Sequence, residues 1–233
     1  MKHTKFLAFL LISSFFVSSC MKWDDQDYTT YYYNMATVTQ GGEYPTFLLD
    51  DSVWLESDFK MPIDTFTVGE RYFIYYTLGD TINHAPKVYP IALDYYAKSY
   101  KKEYKTLQHD TGDVWLNKPM YELKLIWFSS HYWNLMFTSY MGMSSPNTFE
   151  LIRNKTLETA GVNDTIPVLN FELRHNVSAT SDLRKDDQYY SFDLDSLRQE
   201  FPRAKKFKLF LKWNSQFLGI RKSENIYIPN IDN

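Results

Sequence analysis

The stretch KFKLFLKW, residues 206–213, decides the fold class. Apolar residues fill every second position and lysines fill most of the others: Phe207, Leu209, Leu211 and Trp213 on one side, and Lys206, Lys208, Phe210 and Lys212 on the other. An apolar–polar alternation with a period of two is typical of a half-buried antiparallel strand. This stretch therefore predicts a strand with one face in a core and one face toward solvent.

Similar short apolar segments fill the rest of the chain. FTVGERYFIYYTLGD (66–80) is apolar on both faces, which predicts a strand covered on both sides. YPTFLLDDSVWLES (44–57) predicts a hairpin that turns at residues 50–52. The one predicted helix is DSLRQEF (195–201), with Asp195 or Ser196 as its N-cap and a proline after its end. The chain is therefore predicted to be all-β.

The patterns also predict two domains. A lysine-rich segment at residues 98–110 separates a first set of strands from seven or eight later ones. That many short strands in about 115 residues favour a β-sandwich in the second half.

The N-terminus has the form of a secretory signal. Two lysines precede an apolar run at residues 6–17 that is too short to span a membrane comfortably. Val17-Ser18-Ser19-Cys20 resembles a bacterial lipobox, which implies cleavage before Cys20 and lipid attachment to its sulfur. The alternative is an ordinary signal peptide in which Cys20 is incidental. The prediction is a signal peptide at 1–19, a tether at 20–32 and an effectively permanent membrane anchor.

The sequence after Cys20 predicts a location. Asp24, Asp25 and Asp27 resemble an acidic signal that sends lipoproteins of some Gram-negative bacteria to the outer leaflet of the outer membrane. We therefore expect a lipid-anchored protein of the outer membrane that faces the cell surface. A periplasmic orientation is the open alternative.

Composition restricts the partners. Without its signal the chain has 23 basic and 28 acidic residues, a net charge of −5, which argues against nucleic acid as a partner. Cys20 is the only cysteine, so no internal disulfide can form. Aromatic residues make up 18% of the chain, enough for large β cores without such a crosslink.

Several segments together resemble the NigD-like lipoproteins. In chain order these are MATVT (35–39), FLLDDSVWLES (47–57), VGERYFIYYTL (68–78), LNFELRHNVSATSD (169–182), YYSFDLDSL (189–197) and KLFLKWNS (208–215). The resemblance implies an OB-like barrel at 33–106 followed by an antiparallel β-sandwich at 107–233. Tyr72 and Phe73 depart from it, because the family prefers smaller branched residues there. The family is named after a bacteriocin locus, which implies an accessory or immunity role.

No motif in the sequence predicts catalysis or a cofactor. There is no G-x-S-x-G nucleophile motif, and the histidines lack the spacing of metal ligands. Aromatic side chains can stack on sugar rings, although in strands they also fill cores. The candidate aromatic binding patch is Tyr95, Tyr96, Tyr100, Trp127, Tyr132 and Trp133.

These observations predict a non-enzymatic lipoprotein of the cell envelope that presents two β domains to a protein or glycan partner. The alternative is an envelope hydrolase whose active site has no recognisable motif. A deep pocket with convergent carboxylates or histidines favours the hydrolase, and a shallow aromatic surface favours binding.

Overall fold

A computed structural model describes residues 29–79, 88–107, 119–129, 131–142, 148–176 and 183–229. The predicted signal peptide, Cys20 and most of the tether lie outside these residues. The described part of the chain forms thirteen strands and one α-helix: β1 (Tyr31–Gln40), β2 (Thr46–Leu49), β3 (Trp54–Ser57), β4 (Arg71–Leu78), β5 (Val88–Glu103), β6 (Lys105–Leu107), β7 (Glu122–Ser129), β8 (Tyr132–Gly142), β9 (Thr148–Asn154), β10 (Val168–Asn176), β11 (Leu183–Asp193), α1 (Asp195–Glu200), β12 (Phe207–Ser215) and β13 (Gly219–Tyr227). Among these residues, no helix has the length and apolarity needed to cross a membrane.

The strands form two sheets. The larger sheet has the order β3-β2-β1-β4-β5-β11-β8-β7, and the smaller one has the order β13-β12-β10-β9-β6. Strand β5 is the longest at 16 residues. Its first part pairs with β3 and β4, and its last part pairs with β11. The lysine-rich segment predicted to separate two domains therefore lies, as far as residue 107, within strands β5 and β6.

Strands β1 to β5 pair in a cycle. Each of β1–β2, β2–β3, β3–β5, β5–β4 and β4–β1 is a hydrogen-bonded pair. We call these five strands the ring. A buried cluster that draws side chains from all five strands, including Val38, Phe47, Leu55, Ile74 and Ile91, forms its core.

The second half is a β-sandwich. Strands β11, β8 and β7 face the five-stranded sheet across the largest buried cluster. Phe207, Leu209 and Leu211 are buried in that cluster, while Lys208 and Lys212 on the other face are partly exposed. The alternation in KFKLFLKW thus gave the correct strand and the correct inner face. The predicted all-β chain with a C-terminal sandwich is confirmed.

The sandwich is mixed where an antiparallel one was expected. Strand β12 pairs antiparallel with β13 but parallel with β10. Between β10 and β12 the chain crosses to the other sheet to form β11, and it returns in its original direction. Two crossings therefore produce this parallel pair. Strands β5 and β11 are also parallel, and the chain changes sheet four times between them.

The hairpin turn lies where the sequence predicted it, but the N-cap of the helix does not. Strands β2 and β3 join through residues 50–52, where Ser52 has a φ of 67°. Helix α1 has Leu194 at its N-cap position, where Asp195 or Ser196 was expected. Leu194 is buried in the sandwich core, and the carboxylate of Asp193 accepts the Asp195 N–H at 2.9 Å instead.

Candidate functional site

The six aromatic residues of the predicted patch lie on different surfaces. Tyr95 and Tyr96 are neighbours on β5, so their side chains lie on opposite faces. Tyr96 packs against Phe66 of the ring core at a centroid distance of 4.8 Å. Trp133 has no exposed surface and belongs to the sandwich core. Including Trp133 in a binding patch was therefore wrong, because its position on β8 faces inward.

The remaining predicted residues also separate. The ring of Tyr132 lies 3.9 Å from the guanidinium carbon of Arg71, so that aromatic face is occupied. Tyr100 is exposed, and its ring packs against Tyr190 rather than against Tyr95. Trp127 is partly buried beside Phe73 at the contact between ring and sandwich. The structure therefore does not bring the six residues together as one surface.

A different set of aromatic side chains does share one face. Tyr33, Tyr75 and Tyr95 are direct cross-strand partners on β1, β4 and β5. Tyr31 stacks on Tyr75 with a centroid distance of 5.0 Å and nearly parallel rings. We call Tyr31, Tyr33, Tyr75 and Tyr95 the tyrosine face. Neighbouring strands lie about 4.8 Å apart, so the row of three spans about 10 Å.

The tyrosine face is open to solvent. Tyr31, Tyr33 and Tyr95 expose 49%, 58% and 47% of their surface, and Tyr75 is partly buried between them. At its inner end the face meets Tyr189, whose pKa is raised by burial and by the neighbouring Tyr95 hydroxyl. A neutral phenol with an apolar ring suits contact with a ligand that has both apolar and hydroxyl surface.

On the same face of β4, four residues before Tyr75, a buried polar network joins the ring to the sandwich. Arg71, which is 2% exposed, donates two hydrogen bonds of 2.7 Å to the carboxylate of Asp50 and one of 3.3 Å to Ser191. Ser191 donates to Asn134, Asn134 donates to Ser129, and Ser129 donates to Asp50. We call these five residues the Arg71 network.

The hydrogen bonds of the Arg71 network form a closed cycle, so each member has two partners within it. A buried charge is tolerated only when it is paired and its hydrogen bonds are satisfied. The ring contributes Arg71 and Asp50, and the sandwich contributes the other three residues. The network therefore fixes the position of the two halves rather than presenting reactive groups.

A small crevice opens next to the network. It has a volume of about 230 Å³ and is lined by Asn34, Met35, Leu49, Asp50, Asp51, Trp127, Phe128 and Ser129. Residues of the ring form one wall, and residues of β7 form the other. We call it the Trp127 crevice. It combines an aromatic ring, two carboxylates and an amide in a space that the Arg71 network holds in shape.

The strongest catalytic candidate is a cleft beside helix α1. It measures about 490 Å³ and is lined by His131, Asp195, Arg198, Gln199, Phe201, Pro202, Ala204, Phe207 and Pro229. His131 Nδ1 lies 2.7 Å from the carboxylate of Asp195, a geometry that could support a general base. None of these lining residues supplies a hydroxyl or thiol nucleophile. Within the described residues, no group of three or more His, Cys, Asp or Glu side chains could hold a metal ion.

The fold and surfaces define a two-part, all-β protein in which a five-stranded ring and a sandwich share one continuous sheet. Residues 104–226, more than half of the chain, match the NigD-like C-terminal beta sandwich domain, so the chain belongs to the NigD-like family. No protein of curated function matches the sequence.

Solved structures from Bacteroides species share the fold. A protein of unknown function from Bacteroides vulgatus is 22% identical, with 87% of this chain and 93% of that chain covered and a TM-score of 0.66. A Bacteroides fragilis protein proposed to be a lipoprotein is 12% identical over 88% and 99%, with a TM-score of 0.56. A NigD-like immunity protein from Bacteroides caccae is 13% identical over 87% and 99%, with a TM-score of 0.53. At such identities the likeness shows the fold alone.

Three residues of the tyrosine face were missed from the sequence. Tyr31 fell in the predicted tether, and Tyr33 was taken only as the start of the fold. Tyr75 was one of several aromatics on a strand expected to be covered on both faces. The available signal was the spacing of two between Tyr31 and Tyr33, which places both on one side of a strand. Their alignment with Tyr75 and Tyr95 depends on strand register, which the spacing does not contain.

Proposed function

We propose that this protein is a non-enzymatic lipoprotein of the bacterial envelope that binds a partner through its tyrosine face. The exposure of Tyr31, Tyr33 and Tyr95 on one surface carries the proposal. Contiguous exposed aromatic surface on a soluble body is typical of interaction sites. The hydrolase alternative has only the His131–Asp195 pair in its favour, and the cleft around that pair has no hydroxyl or thiol nucleophile among its lining residues.

The anchor supports the same proposal. Lipidation at Cys20 places the acyl chains eleven residues before Tyr31. An extended chain spans at most about 3.6 Å per residue, which keeps the start of β1 within about 40 Å of the lipid. The proposed location is the outer membrane with the body at the cell surface. The likeness to an immunity protein and to a proposed lipoprotein supports an accessory or immunity role at the envelope.

Two sets of variants test the proposal. Cys20→Ala should move the protein from the membrane pellet to the soluble fraction. Tyr33→Ser combined with Tyr95→Ser should abolish co-purification of a partner after crosslinking in intact cells. Tyr44→Ser is the matched control, because Tyr44 is 48% exposed but lies in the loop after β1.

Two outcomes would refute the proposal. Continued pelleting of Cys20→Ala after lysis without detergent contradicts the anchor. Equal partner recovery by the wild type and the tyrosine variant contradicts the tyrosine face.

A further inference from the structure

We infer that the Trp127 crevice binds one ring of a neutral carbohydrate and that further rings of the same glycan lie over the tyrosine face. This inference rests on the proposed binding function and names the chemical class of the partner. It is drawn from the lining of the crevice, its size and its position beside the tyrosines.

The apolar part of the crevice suits the C–H face of a sugar. Trp127 supplies this surface, and Met35 and Leu49, which are 3% and 6% exposed, line the crevice beside it. Trp127 is fixed by an edge-to-face contact with Phe73 at 6.4 Å, which limits the freedom that it loses on binding. An aromatic ring carries negative charge on its faces, which attracts the partly positive C–H groups of a pyranose.

The polar part of the crevice accepts hydrogen bonds, as sugar hydroxyls require. Asp51 is exposed, and its carboxylate makes a long 3.4 Å contact with the Val53 N–H. Asn34 donates its amide N–H to the Tyr76 hydroxyl at 3.0 Å, so its carbonyl oxygen is the group left to accept. Bonds from hydroxyls to a carboxylate are stronger than those between neutral groups.

Charge at the crevice disfavours acidic glycans. Asp50 is already paired with Arg71, and Asp51 adds an exposed negative charge at the rim. None of the lining residues of the crevice is cationic. A uronic acid or sulfated sugar would meet like charge there with no compensating partner.

Size and position define how much of a glycan fits. At about 230 Å³ the crevice is smaller than the roughly 300–1,000 Å³ typical of drug-sized ligands, so it suits a single ring. Met35 lies two residues after Tyr33 on the same face of β1, a separation of about 7 Å. Adjacent rings of an oligosaccharide would therefore continue from the crevice onto the tyrosine face.

The experiment titrates the full-length protein, purified from membranes in a detergent without a sugar headgroup. The probes are neutral hexasaccharides of glucose, mannose, xylose and galactose, with hexagalacturonate as the acidic comparison. Binding is followed by calorimetry and by tryptophan fluorescence. The variants are Trp127→Phe and Asp51→Asn, and the matched controls are Tyr44→Phe and Asp58→Asn. Thermal melts establish that each variant is folded.

We expect at least one neutral hexasaccharide to bind, hexagalacturonate to bind at least about tenfold more weakly, and each crevice variant to lose about tenfold in affinity. The ligand-induced fluorescence change should disappear in Trp127→Phe. If both crevice variants bind the glycan with the same affinity as the wild type, the assignment of the site to the crevice is wrong. Absence of glycan binding, while a protein partner is still lost with the tyrosine variant, overturns the carbohydrate proposal and leaves the proposed function standing. Absence of any partner in both experiments refutes both.

Discussion

Removing the carboxylate of Asp50 should destabilise the whole protein, because it would leave a buried guanidinium without its counter-charge. Arg71 and Asp50 have side chains that are only 2% and 10% exposed, and they share two hydrogen bonds of 2.7 Å. Breaking a buried pair in this way costs roughly 3–5 kcal/mol. Thr37, Ser191 and the ring of Tyr132 still surround Arg71, which favours the lower end of that range, about 3 kcal/mol.

The assay is urea denaturation at pH 7 followed by circular dichroism, together with a thermal melt. For a body of this size each kcal/mol shifts the melting temperature by roughly 2–4 °C, so Asp50→Ala should lower it by about 6–12 °C. The matched control is Glu43→Ala, which removes a carboxylate from an exposed pair with Lys60 at the same 2.7 Å. An exposed pair contributes about 0–1 kcal/mol, so the control should stay near the wild type.

A double variant separates the buried charge from the loss of packing. Asp50→Leu combined with Arg71→Met replaces both charges with apolar groups, and it should recover most of the stability lost by Asp50→Ala. The reasoning fails if Asp50→Ala costs no more than Glu43→Ala. It also fails if the double variant is no more stable than Asp50→Ala, since the unpaired charge would then not be the cause.

Three further predictions concern stability. Ser52→Gly should raise the unfolding free energy by about 0.5 kcal/mol in urea titrations. The positive φ of Ser52 costs a non-glycine residue about 1–2 kcal/mol, and the greater flexibility of glycine in the unfolded chain cancels only part of the gain from removing that strain. An unchanged or lower urea midpoint contradicts this prediction. Burial alone would raise the pKa of Glu200, but hydrogen bonds from Arg153 outweigh that effect and hold the pKa below its ordinary 4.5. The free energy of unfolding should therefore fall as the pH drops from about 5 through the pKa of the folded state. Glu200→Gln should flatten that pH profile, and an unaltered acid slope refutes the link. Trp133→Ala should cost about 3–5 kcal/mol, whereas Tyr44→Ala should change stability by less than about 0.5 kcal/mol; similar melting temperatures for the two would contradict their assigned burial.

The sequence predicted strands and faces well because those depend on local patterns. The alternation around Leu209 and the turn at residues 50–52 both match the structure. Pairing between distant strands is not encoded in a period of two, which identifies a face but no partner. The Arg71 network joins residues up to 120 positions apart, so no local pattern could reveal it. No local pattern could reveal the Trp127 crevice either, because one wall comes from β1 and the end of β2 and the other from β7, which pairs with neither of them.

Strand β5 belongs to the ring at its start and to the sandwich at its end. Neither half completes its hydrogen-bonded edge without the same sixteen residues. Unfolding of one half would expose the strand edge on which the other half depends, so the two should lose structure in a single cooperative transition. An attempt to express either half alone would leave an unpaired edge ready to associate with other chains. A protein built in this way should act as one mechanical unit, in which a load applied at either half is carried directly to the other through β5.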